Sequence, residues 1–167
     1  FFPIPITGSS EGCLLLADVR EVPPEHLYHA PEGGALNVIA PVGNGFTIEA
    51  GTQRLLLVCD ELHSAPLIAL AREAAQKQIA VTLLVEANSE SSAFSAVAAL
   101  LPLDVEYQVV PSLGAALPTL LRWPDQICAA GDMALYALLK AQMAIAGLIA
   151  PAGFAQVVIA PPMACGF

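Results

Sequence analysis

The stretch from Leu55 to Glu86 constrains the fold of this chain more than any other, because its pattern reads strand, turn, helix, strand. Parallel strands can be joined only by a long crossover, usually a helix, so this order predicts a parallel βαβ unit. In doubly wound sheets the turn after the first strand lies at the carboxyl edge, where ligands bind. Here that turn runs from Cys59 to Ser64, with the sequence CDELHS, and it contains no glycine.

The alternation of strands and helices continues as far as residue 160. The predicted strands lie at 55–58, 80–86, 105–110, 125–129 and 155–160. The predicted helices lie at 65–77, from 88 or 89 to 101, at 112–122 and from 133 to 146. Pro66 suits a first helical turn, Asp132 suits an N-cap, and Pro118 should kink or break its helix. This order predicts an α/β fold, a doubly wound five-stranded parallel sheet.

Residues 1–52 have a different pattern, in which short apolar runs alternate with proline and glycine. Strands are predicted at 13–17, 36–40 and 46–49. Because three strands are too few for an independent barrel, we predict a partial antiparallel β-barrel. A boundary at Gly51-Thr52 then divides the chain into the partial barrel at 1–52, the α/β domain at 53–160 and a short segment at 161–167.

The composition limits what the chain can bind. It is 56% hydrophobic and 13% charged, which favours a sheet covered on both faces. A net charge of −9 with six basic residues leaves no basic patch, so we expect no nucleic-acid partner. The four cysteines are widely spaced, which indicates reduced thiols and a cytoplasmic protein. Gly147 and Pro151 interrupt the apolar stretch 141–160, so we expect no membrane span.

Three short motifs occur in a fixed order along the chain. APVGNGF at 40–46 resembles the G-P-x-G-N-G-F loop of ferredoxin-reductase-like flavoproteins. APL at 65–67 is similar to the A-P-L that opens the first helix of their nicotinamide domain. MACGF at 163–167 resembles the start of M-x-C-G-x-G-x-C-x-x-C. Together they resemble the ferredoxin–NADP reductase-like family, and within it the electron-transfer subunits of dihydroorotate dehydrogenases.

This resemblance implies an FAD-binding barrel, a nicotinamide-binding α/β domain and a C-terminal [2Fe–2S] segment. Electrons would pass from NAD(P)H through FAD and the cluster to a partner, a catalytic dehydrogenase subunit; a homodimer is left open. The resemblance implies the cofactor-binding residues Gly43, Asn44, Gly45, Ala65, Pro66 and Gly131, and the cluster ligand Cys165.

The chain departs from the family at the nicotinamide motifs. The family places G-G-x-G before A-P-L so that the backbone can approach the pyrophosphate. Here the corresponding residues are Cys59, Asp60, Glu61 and His63, so two carboxylates stand where a dianion would lie. Two like charges at about 4 Å cost roughly 1 kcal/mol even in water. The family's C-G-P motif is AGD at 130–132, which keeps the glycine and loses the thiol.

These departures leave two further hypotheses open. One is a non-catalytic relative that keeps the fold as a binding or scaffold module in a redox complex. The other is a metal-dependent enzyme that uses His63 with Asp60 and Glu61. The alternative interpretation of these three residues is a solvated turn that caps the helix. The piece at 2–6, FPIPI, also lacks the arginine that holds the flavin pyrophosphate in the family, since arginine supplies bidentate charge-assisted bonds.

Overall fold

The computed structural model describes residues 6–10, 13–16, 45–87, 99–148 and 155–159, and describes the backbone alone at 6–10, 13–16 and 155–159. Strands β1 (Ile6–Ser10) and β2 (Cys13–Leu16) pair antiparallel. The second of these lies within the predicted strand 13–17, and the first was not predicted. This hairpin lies within the predicted partial barrel at 1–52, of which residues 45–52 are also described.

The α/β part of the described chain contains the predicted sheet. Its elements in chain order are β3 (Arg54–Asp60), α1 (Ala65–Gln76), β4 (Ala80–Glu86), β5 (Glu106–Val110), α2 (Leu113–Leu120), β6 (Gln126–Gly131), α3 (Met133–Ile145) and β7 (Ala155–Ile159). Among the described residues, five strands form one sheet in the order β5-β4-β3-β6-β7, and every neighbouring pair is parallel. The prediction of a doubly wound parallel sheet is therefore confirmed.

The core lies on both faces of this sheet, because residues of alternate parity along each strand point to opposite sides. On one face the strands pack against α1, and this cluster includes Leu55, Leu57, Leu67, Leu70, Leu83 and Val85. On the other face they pack against α2 and α3, and this cluster includes Leu56, Val58, Leu84, Leu117, Ile127 and Leu139. The strand order reverses at β3. Strands β4 and β5 extend the sheet on one side of β3, and β6 and β7 extend it on the other. This is the switch point at which doubly wound domains bind ligands.

Several predictions of strand extent are wrong, and β6, predicted to end at 129, continues to Gly131. Strand β3 continues through Asp60, so Cys59 is a fully buried strand residue rather than part of the turn. The predicted strand 46–49 does not form, and residues 45–49 have no regular structure. The physical reason is the Gln126 side chain, which accepts the Glu49 N–H at 3.0 Å and donates to the Thr47 carbonyl at 2.7 Å. A side chain thus takes backbone groups that a strand ladder would have used.

The predicted helix ends also shift. The helix predicted to reach residue 101 falls largely on 88–98, outside the described residues, and residues 99 and 100 already form a turn. Helix α2 ends at Leu120 rather than 122, two residues after its internal Pro118. The predicted strand 36–40 and the residues Gly43, Asn44 and Cys165 lie outside the described residues. Within the described ranges, no helix has the length and apolar character needed to span a membrane.

Candidate functional site at the carboxyl edge of the sheet

Three carboxylates stand at the carboxyl ends of neighbouring strands. Strand β3 ends at Asp60 and β4 ends at Glu86, and these two residues are aligned in the parallel register. Strand β6 ends at Gly131, and Asp132 follows it directly. Because β3 lies between β4 and β6, these side chains belong to one edge, at the switch point. This edge is the place where the domain would take a ligand.

The turn after β3 is a single 3₁₀ turn, Glu61–His63, held together by its own side chains. The carboxylate of Asp60 accepts the His63 N–H at 3.0 Å, and His63 Nδ1 lies 2.7 Å from each of its oxygens. The buried Ser64 hydroxyl donates to the Glu61 carbonyl at 3.1 Å. The amide of His63 and its imidazole therefore share one carboxylate partner inside the turn.

His63 is the one histidine within the described residues, and its surroundings favour the charged form. The pKa of His63 is raised above its ordinary value, chiefly by the hydrogen bond to Asp60. The negative charges of Asp60 and Asp132 act in the same direction, and partial burial opposes them. The side chain is 26% exposed, so the pair with Asp60 is only partly screened by water. When protonated, His63 therefore pairs with a carboxylate of its own turn.

The helices that start at this edge are capped from within the chain. The Leu113 N–H at the start of α2 donates to Glu86 Oε2 at 2.8 Å. Asp132 is the predicted N-cap of α3, and its Oδ1 accepts the N–H groups of Ala134 at 2.9 Å and Leu135 at 3.0 Å. Free N–H groups at helix N-termini are what binds phosphate in dinucleotide domains. Here the chain's own carboxylates hold one such donor of α2 and two of α3.

Helix α1 begins with the A-P-L segment, as predicted. Ala65 is its first residue, and Pro66 lies in the first turn, where its missing N–H costs nothing. The Leu67 N–H donates to the Ser64 carbonyl at 3.0 Å. The family resemblance placed Ala65 and Pro66 at the nicotinamide site. Here the Leu67 amide is satisfied locally, and the turn has no glycine beside it.

Gly131 has a packing role that its motif did not reveal. A Cβ built on this residue collides with the Leu135 side chain, lying 3.1 Å from its Cβ and 3.3 Å from its Cγ. A methyl group at Gly131 would therefore fit only if the Leu135 side chain moved. Taken together, the residues of this edge do not fit the pyrophosphate of NAD(P), which requires free amides and close approach of the backbone.

The two cysteines whose side chains are described, Cys59 and Cys128, are packing residues. Cys59 is fully buried, and burial raises the pKa of its thiol far above the usual range. Burial raises the pKa of the Cys128 thiol to about 12. Such thiols stay protonated and unreactive at neutral pH. Within the described residues, no group of three or more His, Cys, Asp or Glu side chains could hold a metal ion, so the hypothesis of a metal site at Asp60, Glu61 and His63 is wrong.

Gln126 is a structural residue that the sequence pattern did not single out. It is 1% exposed at the start of β6, and its amide joins the segment before the sheet to the sheet itself. Besides its bonds to the backbone of residues 47 and 49, its Oε1 accepts the Thr52 hydroxyl at 3.0 Å. A polar residue at the head of the apolar run QICAAG was the available signal.

Comparison with solved structures gives likenesses of fold. The "Flavohem-like-FAD/NAD Binding Domain of Nitric Oxide Dioxygenase from Vibrio cholerae O1 biovar El Tor" aligns with 94% of this chain and 76% of its own, at a TM-score of 0.56 and 13% identity. An intact type IV self-sufficient cytochrome P450 monooxygenase aligns with 69% of this chain and 15% of its own, at a TM-score of 0.48 and 18% identity. The ferredoxin–NADP⁺ reductase of Plasmodium falciparum aligns with 65% of this chain and 52% of its own, at a TM-score of 0.44 and 6% identity. No protein-family profile and no curated protein matches the chain.

Proposed function

We propose that this chain works as a subunit of an electron-transfer flavoprotein of the ferredoxin–NADP reductase-like kind. The observation that carries the proposal is the fold similarity to an FAD/NAD-binding domain, which extends over 94% of the chain. The motifs at 40–46 and 163–167 support it, because they occur at the expected places before and after the sheet. The subunit would belong in the cytoplasm.

In its finer form the proposal follows the sequence motifs. Gly43, Asn44 and Gly45 would contribute to the FAD site, and Cys165 would be one ligand of a [2Fe–2S] cluster. A cluster of this type needs four ligands, normally cysteines. When bound, FAD would supply the exchange between hydride and single-electron chemistry. The electron acceptor would be a catalytic dehydrogenase subunit, as in the dihydroorotate dehydrogenase complexes that the motifs resemble.

Titration of the purified chain with FAD tests this proposal. We expect binding of about one FAD per chain, with the flavin fluorescence quenched by the protein. Replacement of Gly43, Asn44 and Gly45 by alanine should weaken this binding. The matched control is Gly114→Ala, because a Cβ there meets side-chain atoms only at the ordinary distance of 3.6 Å. A chain that binds no FAD at saturating concentration contradicts the electron-transfer proposal.

The second candidate is a non-catalytic relative that acts as a binding or scaffold module in a redox complex. The observation that favours it lies at the carboxyl edge. There the carboxylates of Asp60, Glu86 and Asp132 accept hydrogen bonds from backbone N–H groups, the kind of group that binds the dinucleotide in nucleotide-binding domains. The two candidates differ in flavin content. The scaffold predicts a colourless protein that reduces no artificial acceptor, whereas the electron-transfer subunit predicts a yellow protein with flavin in equimolar amount.

A further inference from the structure

We infer that the carboxyl edge of this sheet excludes dinucleotides, because its first βα turn lacks glycine, the Asp60 carboxylate holds the His63 N–H of that turn, and two further carboxylates hold amides at the starts of α2 and α3. Asp60, Glu86 and Asp132 each accept at least one backbone N–H at the end of a neighbouring strand. The consequence of this inference for electron transfer rests on the proposed function. If the chain is an electron-transfer flavoprotein, reducing equivalents reach it by a route other than NAD(P)H bound at this edge.

Asp60 contributes most to the exclusion of a pyrophosphate. It ends the central strand at the switch point, where a pyrophosphate would lie, and its carboxylate already takes the His63 N–H at 3.0 Å. A phosphate in that position would have to displace this carboxylate from the amide. Two further carboxylates belong to this edge, those of Glu61, which begins the 3₁₀ turn, and Glu86, aligned with Asp60 in the register. Like charges repel more strongly as the local dielectric constant falls.

The imidazole of this turn is already engaged. His63 Nδ1 lies 2.7 Å from both oxygens of Asp60, so the protonated ring would pair with a carboxylate of its own turn. A dinucleotide would gain a positive partner here only by breaking that pair. The edge therefore combines surplus negative charge with a histidine that is not available to a phosphate.

The turn after β3 lacks the glycines that let a backbone approach a pyrophosphate closely. Cys59 is fully buried in β3, and the residues from Asp60 to Ser64 include no glycine. At the start of α1, Pro66 has no N–H, and the Leu67 N–H donates to the Ser64 carbonyl at 3.0 Å. A pyrophosphate-binding turn needs the opposite features, which are bare backbone and amides directed at the ligand.

The other two helices repeat this arrangement. Glu86 holds the Leu113 N–H at the start of α2, although it lies 27 residues away in the sequence. Asp132 holds two amides at the start of α3. Carboxylates at helix N-termini are stabilised by the helix dipole, so each of them competes with a phosphate for the same positive end. Removal of one carboxylate should therefore open only its own helix or turn.

Isothermal titration calorimetry of the full chain with ADP-ribose and with NADH tests the inference. We expect no saturable binding by the wild type up to about 1 mM, roughly a thousandfold weaker than micromolar affinity. Asp60→Gly frees the His63 amide and imidazole together, and we expect it to raise the affinity for ADP-ribose at least tenfold above the wild-type limit. Asp60→Asn removes the charge and keeps an acceptor, so its gain should be smaller.

The matched control is Glu73→Gln, which removes one charge on the exposed side of α1, where Glu73 pairs with Lys77 at 2.6 Å. It should leave ADP-ribose binding at the wild-type level, and circular dichroism of each variant reports whether it is folded. Micromolar NADH binding by the wild type overturns the inference, as does an equal gain in Glu73→Gln and Asp60→Gly. Flavin content, measured on the same samples, separates this result from the proposed function: a flavin-free chain that rejects NADH fails the electron-transfer proposal and still supports the closed edge.

Discussion

Replacement of Gln126 by leucine tests how the segment before the sheet is attached to it. Gln126 is 1% exposed and makes three hydrogen bonds to that segment, at 3.0 Å to the Glu49 N–H, 3.0 Å to the Thr52 hydroxyl and 2.7 Å to the Thr47 carbonyl. Leucine has a similar volume, so the substitution removes these bonds without opening a large cavity. It also removes the weak contact of Gln126 Nε2 with Cys128 Sγ at 3.6 Å, so the loss of stability measured is chiefly that of the three bonds.

The expected loss follows from the number of bonds. A typical intramolecular hydrogen bond contributes about 1 kcal/mol net, so three of them predict a loss of about 3 kcal/mol in the free energy of unfolding. For a chain of 150–250 residues, 1 kcal/mol moves the midpoint of thermal unfolding by about 2–4 °C. Gln126→Leu should therefore unfold about 6–12 °C below the wild type.

Urea unfolding followed by circular dichroism measures this loss. The matched control is Gln108→Leu on the edge strand β5, because that side chain donates a single surface hydrogen bond to Glu106 at 3.0 Å. We expect the control to change the unfolding free energy by less than about 0.5 kcal/mol. A loss below about 1 kcal/mol in Gln126→Leu would refute the reasoning, since the three bonds would then contribute no more than one.

Three further substitutions probe the carboxyl edge. Because the pKa of His63 is raised, its charged pair with Asp60 stabilises the fold fully below the unfolded pKa of about 6.5 and loses this effect as pH rises through the folded pKa. His63→Gln should therefore lower the unfolding free energy by up to about 1 kcal/mol at pH 5 and by less at pH 9, measured by urea unfolding at both pH values. Gly131→Ala should lower the unfolding free energy by about 1–3 kcal/mol because its Cβ meets Leu135. Gly114→Ala, whose Cβ would meet side-chain atoms only at 3.6 Å, should be neutral or stabilising in the same thermal melts. Asp132→Ala should cost about 1 kcal/mol through the lost cap of α3, and Asp132→Asn should restore most of it; equal losses in both variants would contradict the capping role.

The fold followed from local patterns that the structure preserves. The apolar run at 80–86 predicted β4 to the residue, because a strand buried on both faces needs an unbroken apolar sequence. Asp132 and Pro66 marked the starts of their helices, since capping and the missing proline N–H act within one turn of the chain. Both signals are local in sequence, and such signals can be read without knowing the register of the sheet.

The candidate site depended on contacts that no local pattern contains. Glu86 caps a helix 27 residues further along, which becomes visible only when β4 and α2 are placed side by side. Gln126 reaches 79 residues back to the Thr47 carbonyl, and for that reason the predicted strand 46–49 does not form. Cys59 was assigned to the turn because charged residues follow it, whereas the pairing of β3 with β4 extends to Asp60.

The central claim is that the amides at the carboxyl edge are held by the chain's own carboxylates. Amide NMR spectra of the isotope-labelled chain, recorded during titration with ADP-ribose, test it at the atoms concerned. The account predicts that the amide signals of His63, Leu113 and Leu135 stay in place at millimolar ligand, since each donates to a carboxylate within 3.0 Å. Saturable shifts of these signals at micromolar ADP-ribose would contradict it.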